Sequence, residues 1–214
     1  MFDLDGTLID SIHTIKDSMN LLLREENLPE HNYADYCSFV GDGIDMLIRR
    51  ALPDHYQNEK NLYNYTERYR EVYSKTWRER TIPFSGITEI LKQLETSGKK
   101  LFVFSNKTES YTKLQVNELF PEIKFEEVIG ATPERPLKPD PAGALELLSK
   151  NGIRPENTVF TGDSGIDMET GERGNMISVG VSWGFRDREE LLKYGAKFIA
   201  DHPFELKDII LNNL

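Results

Sequence analysis

From Ile82 onward, short apolar runs alternate with longer stretches of helical texture, and no other feature narrows the fold so far. Leu101-Phe102-Val103-Phe104, Glu127-Val128-Ile129-Gly130, Thr158-Val159-Phe160-Thr161 and Ile177-Ser178-Val179-Gly180-Val181 read as strands. Phe198-Ile199-Ala200 reads as a short last one. Helices are expected over 87–96, 110–119, 142–150, 166–171 and 188–194. This βαβα order predicts an α/β fold, a Rossmann-like parallel sheet with helices on both faces.

The stretch from Ser11 to about Arg80 has a different texture, helical and polar throughout. Ile15, Met19, Leu22 and Leu23 recur at helical spacing, and Pro29 closes that run. A second amphipathic run covers 43–52 and stops at Pro53. A third, 56–77, aligns Leu62, Tyr65, Tyr69, Val72, Tyr73 and Thr76 on one stripe, read as core between helices. A helical domain of residues 11–82 is therefore expected inside an α/β domain of residues 1–10 and 83–214. Ligands of open α/β sheets bind beyond the carboxyl ends of the strands. An insert leaving from there would sit over the site as a cap. Its expected hinges are Asp10–Thr14 and Arg80–Gly86. No internal repeat or low-complexity segment is visible.

The chemistry begins at the front of the chain, in Asp3-Leu4-Asp5-Gly6-Thr7-Leu8. On an extended strand residues i and i+2 share a face, so the Asp3 and Asp5 carboxylates would repel unless compensated. A hard divalent cation such as Mg²⁺, which prefers oxygen ligands, is the expected compensation. Gly6 lets the backbone turn sharply just after. One carboxylate can attack phosphorus and form an aspartyl-phosphate. Another can protonate the leaving oxygen and then activate water. Only Met1 and Phe2 precede Asp3, so the first strand is expected to be short, or clipped from a longer one.

Three further strand ends carry polar clusters. Ser105-Asn106-Lys107 offers a hydroxyl and backbone N–H groups suited to a phosphate. In Lys138-Pro139-Asp140-Pro141, Pro139 disfavours helix at Lys138, while Asp140 suits a helix N-cap and Pro141 its first turn. The Lys138 ammonium is thereby held where it could neutralise a transferring phosphoryl group. In Gly162-Asp163-Ser164-Gly165-Ile166-Asp167 the two aspartates stand four apart and share a helical face. Four carboxylates converging without a metal would be severely unfavourable, so their number itself argues for a cation.

Taken in order, these four segments resemble the motifs of the haloacid dehalogenase-like hydrolases over nearly the whole chain. The resemblance implies that Asp3 is the nucleophile and Asp5 the general acid and base. It implies that Ser105 and the amide after it hold the phosphoryl group, with Lys138 as the charge stabiliser. Asp163 would ligate Mg²⁺ together with Asp3 and the backbone carbonyl of Asp5. Asp167 would support the metal's water shell or orient Lys138, with Gly6, Thr7 and Ser164 in supporting positions. Members that attack carbon lack the second aspartate, so Asp5 favours phosphoryl transfer. Val40-Gly41-Asp42-Gly43, followed by Arg49 and Arg50, resembles the specificity loop of phosphoglycolate phosphatase-like members. Pro83-Phe84-Ser85-Gly86-Ile87, Ser105-Asn106-Lys107 and Val181-Ser182-Trp183-Gly184-Phe185 look like the same subgroup. Gly41, Gly43, Arg49, Ser105 and Asn106 are then the expected substrate contacts, and Trp183 either packs at the sheet edge or rims the site. The function implied is Mg²⁺-dependent hydrolysis of a small phosphate monoester. Alternatives on the same scaffold are a sugar-phosphate mutase and a pyrophosphatase; from another class, a non-catalytic phosphate-binding protein.

A formal charge of −10 argues against nucleic-acid binding. No apolar run approaches the ~20 residues a membrane helix needs, and no signal peptide is visible. Cys37 is the single cysteine, which excludes an internal disulfide and suits a reducing compartment; it is read as a packing residue. His13, His31, His55 and His202 show no metal-ligand spacing and are expected at the surface. The expected partner is a small phosphorylated metabolite, with neither nucleic acid nor membrane, and the chain is expected to be cytoplasmic and monomeric or homodimeric.

Overall fold

The computed structural model describes residues 1–213. The chain forms two compact units, Met1–Ile9 together with the chain from Pro83 onward, and Asp10–Ile82. It passes between them at two two-residue strands, β1 (Ile9–Asp10) and β2 (Ile82–Pro83).

Asp10–Ile82 is helical: α1 (Ile12–Glu25), α2 (Tyr33–Phe39), α3 (Ile44–Ala51) and α4 (Glu59–Thr76). Helix α1 packs on α2 and α4, and α3 on α2 and α4. The stripe foreseen on α4 is buried at Tyr65, Tyr69 and Tyr73, the last two with stacked rings 5.5 Å apart. Two features differ from the sequence reading. The long run starts at Glu59, capped by the Asn58 side chain, because Asp54–Tyr56 forms a separate 3₁₀ turn after Pro53. Helix α2 was not foreseen; it is short, and its start is set by a reciprocal cap in which Asn32 Oδ1 accepts from Asp35 N and Asp35 Oδ2 from Asn32 N.

The other unit is the α/β body. Its elements are α5 (Ile87–Thr96), β3 (Leu101–Thr108), α6 (Glu109–Leu119), β4 (Phe125–Ala131), α7 (Ala142–Lys150), β5 (Val159–Gly162), α8 (Gly165–Arg173), β6 (Ile177–Val181), α9 (Arg188–Lys193), β7 (Phe198–Ala200) and α10 (Pro203–Asn213). All its strand pairings are parallel: β4 with β3, and β5 with β6 with β7. Met1–Asp3 joins the two halves. Phe2 bridges Val103 on one side and Thr161 on the other, both in parallel. Backbone bonds of 2.9 Å seal both seams: Phe2 N to Phe102 O, Phe104 N to Phe2 O, Asp3 N to Thr161 O and Thr161 N to Met1 O. The sheet order is thus β4-β3-(Phe2)-β5-β6-β7.

Two apolar clusters cover the two faces of this sheet. Leu4, Leu8, Ile87, Leu91, Val103, Val159, Val179 and Leu206 belong to one, and Phe102, Phe104, Ile129, Leu147, Phe160 and Met176 to the other. Residues Phe102 and Val103 fall in different clusters, as do Val159 and Phe160, as period-two alternation requires. The body differs from the sequence reading at three places. Strand β3 continues through Ser105, Asn106 and Lys107 to Thr108, with an irregularity in its register after Phe104. Helix α7 begins after Pro141, not Asp140, whose carboxylate instead accepts from Ala142 N at 2.8 Å. The last helix, α10, had no sequence expectation. Among the described residues no helix is long and apolar enough to cross a membrane.

Candidate active site

Because the strands are parallel, their carboxyl ends lie together, and the register decides which residues meet. Phe2 stands level with Val103 and Thr161, so Asp3, Ser105 and Asp163 emerge from three adjacent strand ends. Directly after Asp3 the chain turns: Leu4 O accepts from the N–H groups of Leu8 and Ile9, and Gly6 N donates to Ile9 O at 2.9 Å. Gly6 has φ +82, and a Cβ there would come within 2.2 Å of Asp163 Oδ2. Only glycine meets both demands. The turn also brings Thr7 Oγ1 to Asp163 Oδ1 at 3.1 Å, while Trp183 Nε1 donates to Thr7 O at 3.1 Å.

Asp163 is buried, and its second oxygen accepts from the backbone N–H of Phe185 at 2.8 Å. That approach depends on Gly184, since a Cβ there would lie 2.2 Å from Asp163 Cβ. Asp167 sits in the first turn of α8. Its Oδ2 accepts from Ser164 N at 3.1 Å and Ser164 Oγ at 2.6 Å, which aims Oδ1 at Lys138 Nζ, 2.6 Å away. The same ammonium lies 2.8 Å from Asp3 Oδ1. Asn106 holds the Lys138 backbone at two points, accepting from its N–H at 2.8 Å and donating to its C=O at 3.1 Å. Phe104 and Phe160 place their rings about the ammonium at 6.0 and 5.9 Å.

Electrostatically the cluster is out of balance. Asp3, Asp163 and Asp167 each offer a carboxylate oxygen within 4.8 Å of the others, all three residues buried, with Lys138 as the buried ammonium among them. Burial pushes the Asp3 carboxyl up to about 6, the nearby Lys138 restraining the shift. Asp163 is pushed to about 8 by burial first, then by repulsion from Asp167 and Asp3. For Lys138 burial disfavours the charge, but Asp167 and Asp3 outweigh it and hold the group above the ordinary lysine range. Three hard oxygen donors with too little positive charge between them fit a divalent cation.

Asp5 lies outside that cluster of three. Its half-buried carboxylate accepts from Lys107 Nζ at 2.8 Å on one oxygen and 3.1 Å on the other. Ser105 is buried, two residues before Lys107, and its Oγ accepts from Lys107 N at 3.3 Å. The structure thus gathers Asp3, Gly6, Thr7, Lys138, Asp163, Ser164 and Asp167 at one end of the sheet, with Asp5 and Ser105 on the same strand ends. Gly41, Gly43 and Arg49 belong to the helical unit. There Gly41 and Gly43 have φ of +116 and +86, and the neighbouring Arg50 pairs with Asp42 at 2.6 Å. Two groups at the sheet end escaped the sequence reading. The Phe185 N–H carries no side-chain signal; its only trace was a glycine after β6. Lys107 stands beside Ser105 in the sequence with no role assigned to its side chain, and its partner, Asp5, is remote in sequence.

The description "haloacid dehalogenase-like hydrolase" belongs to the family model that matches residues 1–181. A phosphoglycolate phosphatase from Aquifex aeolicus is 31% identical over 214 residues, covering 100% of this chain and 97% of that protein. Two solved structures share the fold. A haloacid dehalogenase-like hydrolase from Streptococcus pneumoniae is 23% identical, with a TM-score of 0.86 over 97% of this chain and 95% of that one. A β-phosphoglucomutase from Clostridium difficile is 21% identical, with a TM-score of 0.80 over 99% and 94%.

Proposed function

The chain belongs to the haloacid dehalogenase-like hydrolases, and from that membership and the site geometry we propose a Mg²⁺-dependent phosphatase acting on a small phosphate monoester of the phosphoglycolate type. The observation that carries the reading is the buried set of Asp3, Asp163 and Asp167 around Lys138, with a second carboxylate, Asp5, two residues beyond the first. The relative from Aquifex aeolicus, whose name carries the substrate, supports the phosphoglycolate assignment.

In this mechanism an Asp3 carboxylate oxygen bonds to phosphorus as the bond from phosphorus to the leaving oxygen breaks. The leaving oxygen keeps that electron pair and takes the Asp5 proton. Water then attacks the aspartyl-phosphate and gives its proton to Asp5, and the bond between phosphorus and Asp3 breaks, releasing inorganic phosphate. Lys138 is fixed by Asp167 and by the Asn106 clamp, so it meets the growing phosphoryl charge without rearranging. Ser105 offers its hydroxyl to a phosphoryl oxygen. The side-chain amide of Asn106 is engaged on Lys138, so its contact with the substrate is assigned to its backbone. Asp3, Asp163 and the Asp5 backbone carbonyl would hold Mg²⁺, which when bound offsets the repulsion between the carboxylates and the phosphate. Residues 11–82 serve as the cap domain, with Gly41 and Gly43 on its specificity loop and Arg49 on the helix that follows, α3, and residues 1–10 and 83–214 as the catalytic core.

The direct test is phosphate release from 2-phosphoglycolate, pyrophosphate and sugar phosphates, with Mg²⁺ and with EDTA. Release that depends on Mg²⁺ and favours phosphoglycolate is expected. Conversion of a sugar phosphate to its isomer without free phosphate would replace hydrolysis by a mutase.

Metal binding also has a readout that needs no turnover. The folded-state values of Asp3 and Asp163, about 6 and 8, lie above the ordinary 3.8, so the folded state holds protons more tightly than the unfolded chain. Their contribution is therefore most favourable below about pH 4 and is lost as pH rises through 6 and 8. The EDTA-treated protein should lose melting temperature over that window, and Mg²⁺ should raise it more at pH 8 than at pH 5. An equal shift at both pH values would count against these carboxylates as the metal ligands.

A further inference from the structure

Lys107 is the charged group of the site that the mechanism above leaves without a task. It lies on the outer end of β3, two residues past Ser105, with a side chain 11% exposed. Its ammonium contacts both oxygens of Asp5, at 2.8 and 3.1 Å. Held by both oxygens, the carboxylate is anchored at its head, so the Asp5 side chain cannot swing away without breaking two contacts. The residue is itself tethered at its base, since the Lys107 N–H donates to Ser105 Oγ at 3.3 Å. The residue expected to hold the phosphoryl group and the residue aiming the proton carrier therefore share one short stretch of β3.

We infer that Lys107 is a positioning residue for Asp5, holding the carboxylate that protonates the leaving oxygen and then deprotonates water; this rests on the hydrolase reading above. Proton transfer requires heavy atoms within about 2.6–3.2 Å, and a displacement of ~1 Å costs about 10²-fold in rate. Without Lys107 the carboxylate swings, and both proton transfers slow while phosphate binding through Ser105, Lys138 and the metal persists. The loss falls on kcat and leaves KM nearly unchanged.

The two half-reactions can be separated by the leaving group. An alkyl ester such as 2-phosphoglycolate needs Asp5 in both steps: its alkoxide must take a proton, and water must give one up. p-Nitrophenolate is stable as an anion and departs unaided, so an aryl ester needs Asp5 only in the second step. The test compares the unaltered chain with Lys107→Met and Lys107→Arg on both esters, with Mg²⁺, by steady-state and rapid-mixing kinetics. For Lys107→Met, kcat on phosphoglycolate should fall about 10²-fold at little change in KM. On p-nitrophenyl phosphate the same variant should release a burst of nitrophenolate near one equivalent per enzyme, then turn over slowly as aspartyl-phosphate accumulates. Lys107→Arg, whose guanidinium can also reach two oxygens, should recover part of kcat and shrink the burst.

Three results would overturn the inference. One is unchanged kcat on both esters in Lys107→Met. Another is a rise in KM confined to phosphoglycolate, which would make Lys107 a contact for the substrate's own carboxylate. The third is equal loss on the aryl ester with no burst, which would place the defect in the first chemical step. An unaltered chain that turns over neither ester would instead overturn the hydrolase reading itself, and this one with it.

Discussion

Asp3→Asn should abolish phosphate release, by on the order of 10⁴-fold or more, while leaving a folded protein. The amide keeps the size of the carboxylate and a carbonyl oxygen beside Lys138 Nζ, now 2.8 Å from Asp3 Oδ1. It cannot form the acyl-phosphate bond, so no alternative route of comparable rate remains. Stability should move the other way. Burial and the neighbouring acids push the Asp3 carboxyl up to about 6, so ionising it costs more in the folded protein than in the unfolded chain. Replacing it relieves repulsion on Asp163 and Asp167, and the variant should melt no lower than the parent in EDTA. Its gain from Mg²⁺ should shrink, because one of the carboxylates around the cation is gone. Thermal melts with and without Mg²⁺, run beside phosphate release, read both consequences. Near-parental turnover in a folded Asp3→Asn protein would remove Asp3 as nucleophile and the mechanism with it.

Much of this arrangement was legible before any coordinates because the relevant signals are local. Parallel α/β order follows from apolar runs alternating with amphipathic ones, and both the Ile177–Val181 strand and the Ile87–Thr96 helix fall where the pattern puts them. Residues at strand ends were legible for the same reason: once the strands are parallel, whatever follows each of them must share one end of the sheet. What escaped depended on distance or on the backbone. Whether Lys107 meets Asp5 is decided by how β3 runs on past Phe104, and no pattern within residues 101–108 shows that. The Phe185 amide that supports Asp163 has no residue type to betray it, since every residue but proline has the same N–H. The two residues before Asp3 predict a short first strand; in the structure Phe2 carries the bridges to both neighbours. Helix α2 was missed because seven residues are too few for an apolar period to show.

Lys138 is the residue whose loss should cost most in stability and activity together. It is buried, and its ammonium bridges Asp3 and Asp167 at 2.8 and 2.6 Å. Lys138→Met keeps the apolar stem beside Phe104 and Phe160 but strands Asp3 and Asp167 without the ammonium that bridges them. Breaking a buried pair in this way costs about 3–5 kcal/mol. In EDTA the variant should therefore melt well below the parent, and Mg²⁺ should recover part of the difference by supplying positive charge at the same place. Catalysis should not recover in parallel, since removing one preorganised charge contact at the transferring group costs about 10²–10³-fold in kcat. Adding Asp167→Asn to Lys138→Met separates the two roles. The carboxamide introduced by Asp167→Asn keeps a carbonyl oxygen that can still accept from Ser164, so the start of α8 stays capped while the unpaired charge disappears. Melting temperature should return toward the parent; turnover should stay where the single variant left it. If activity returned with stability, Lys138 would be a structural counter-ion only, and the charge opposing the phosphoryl group would have to come from elsewhere.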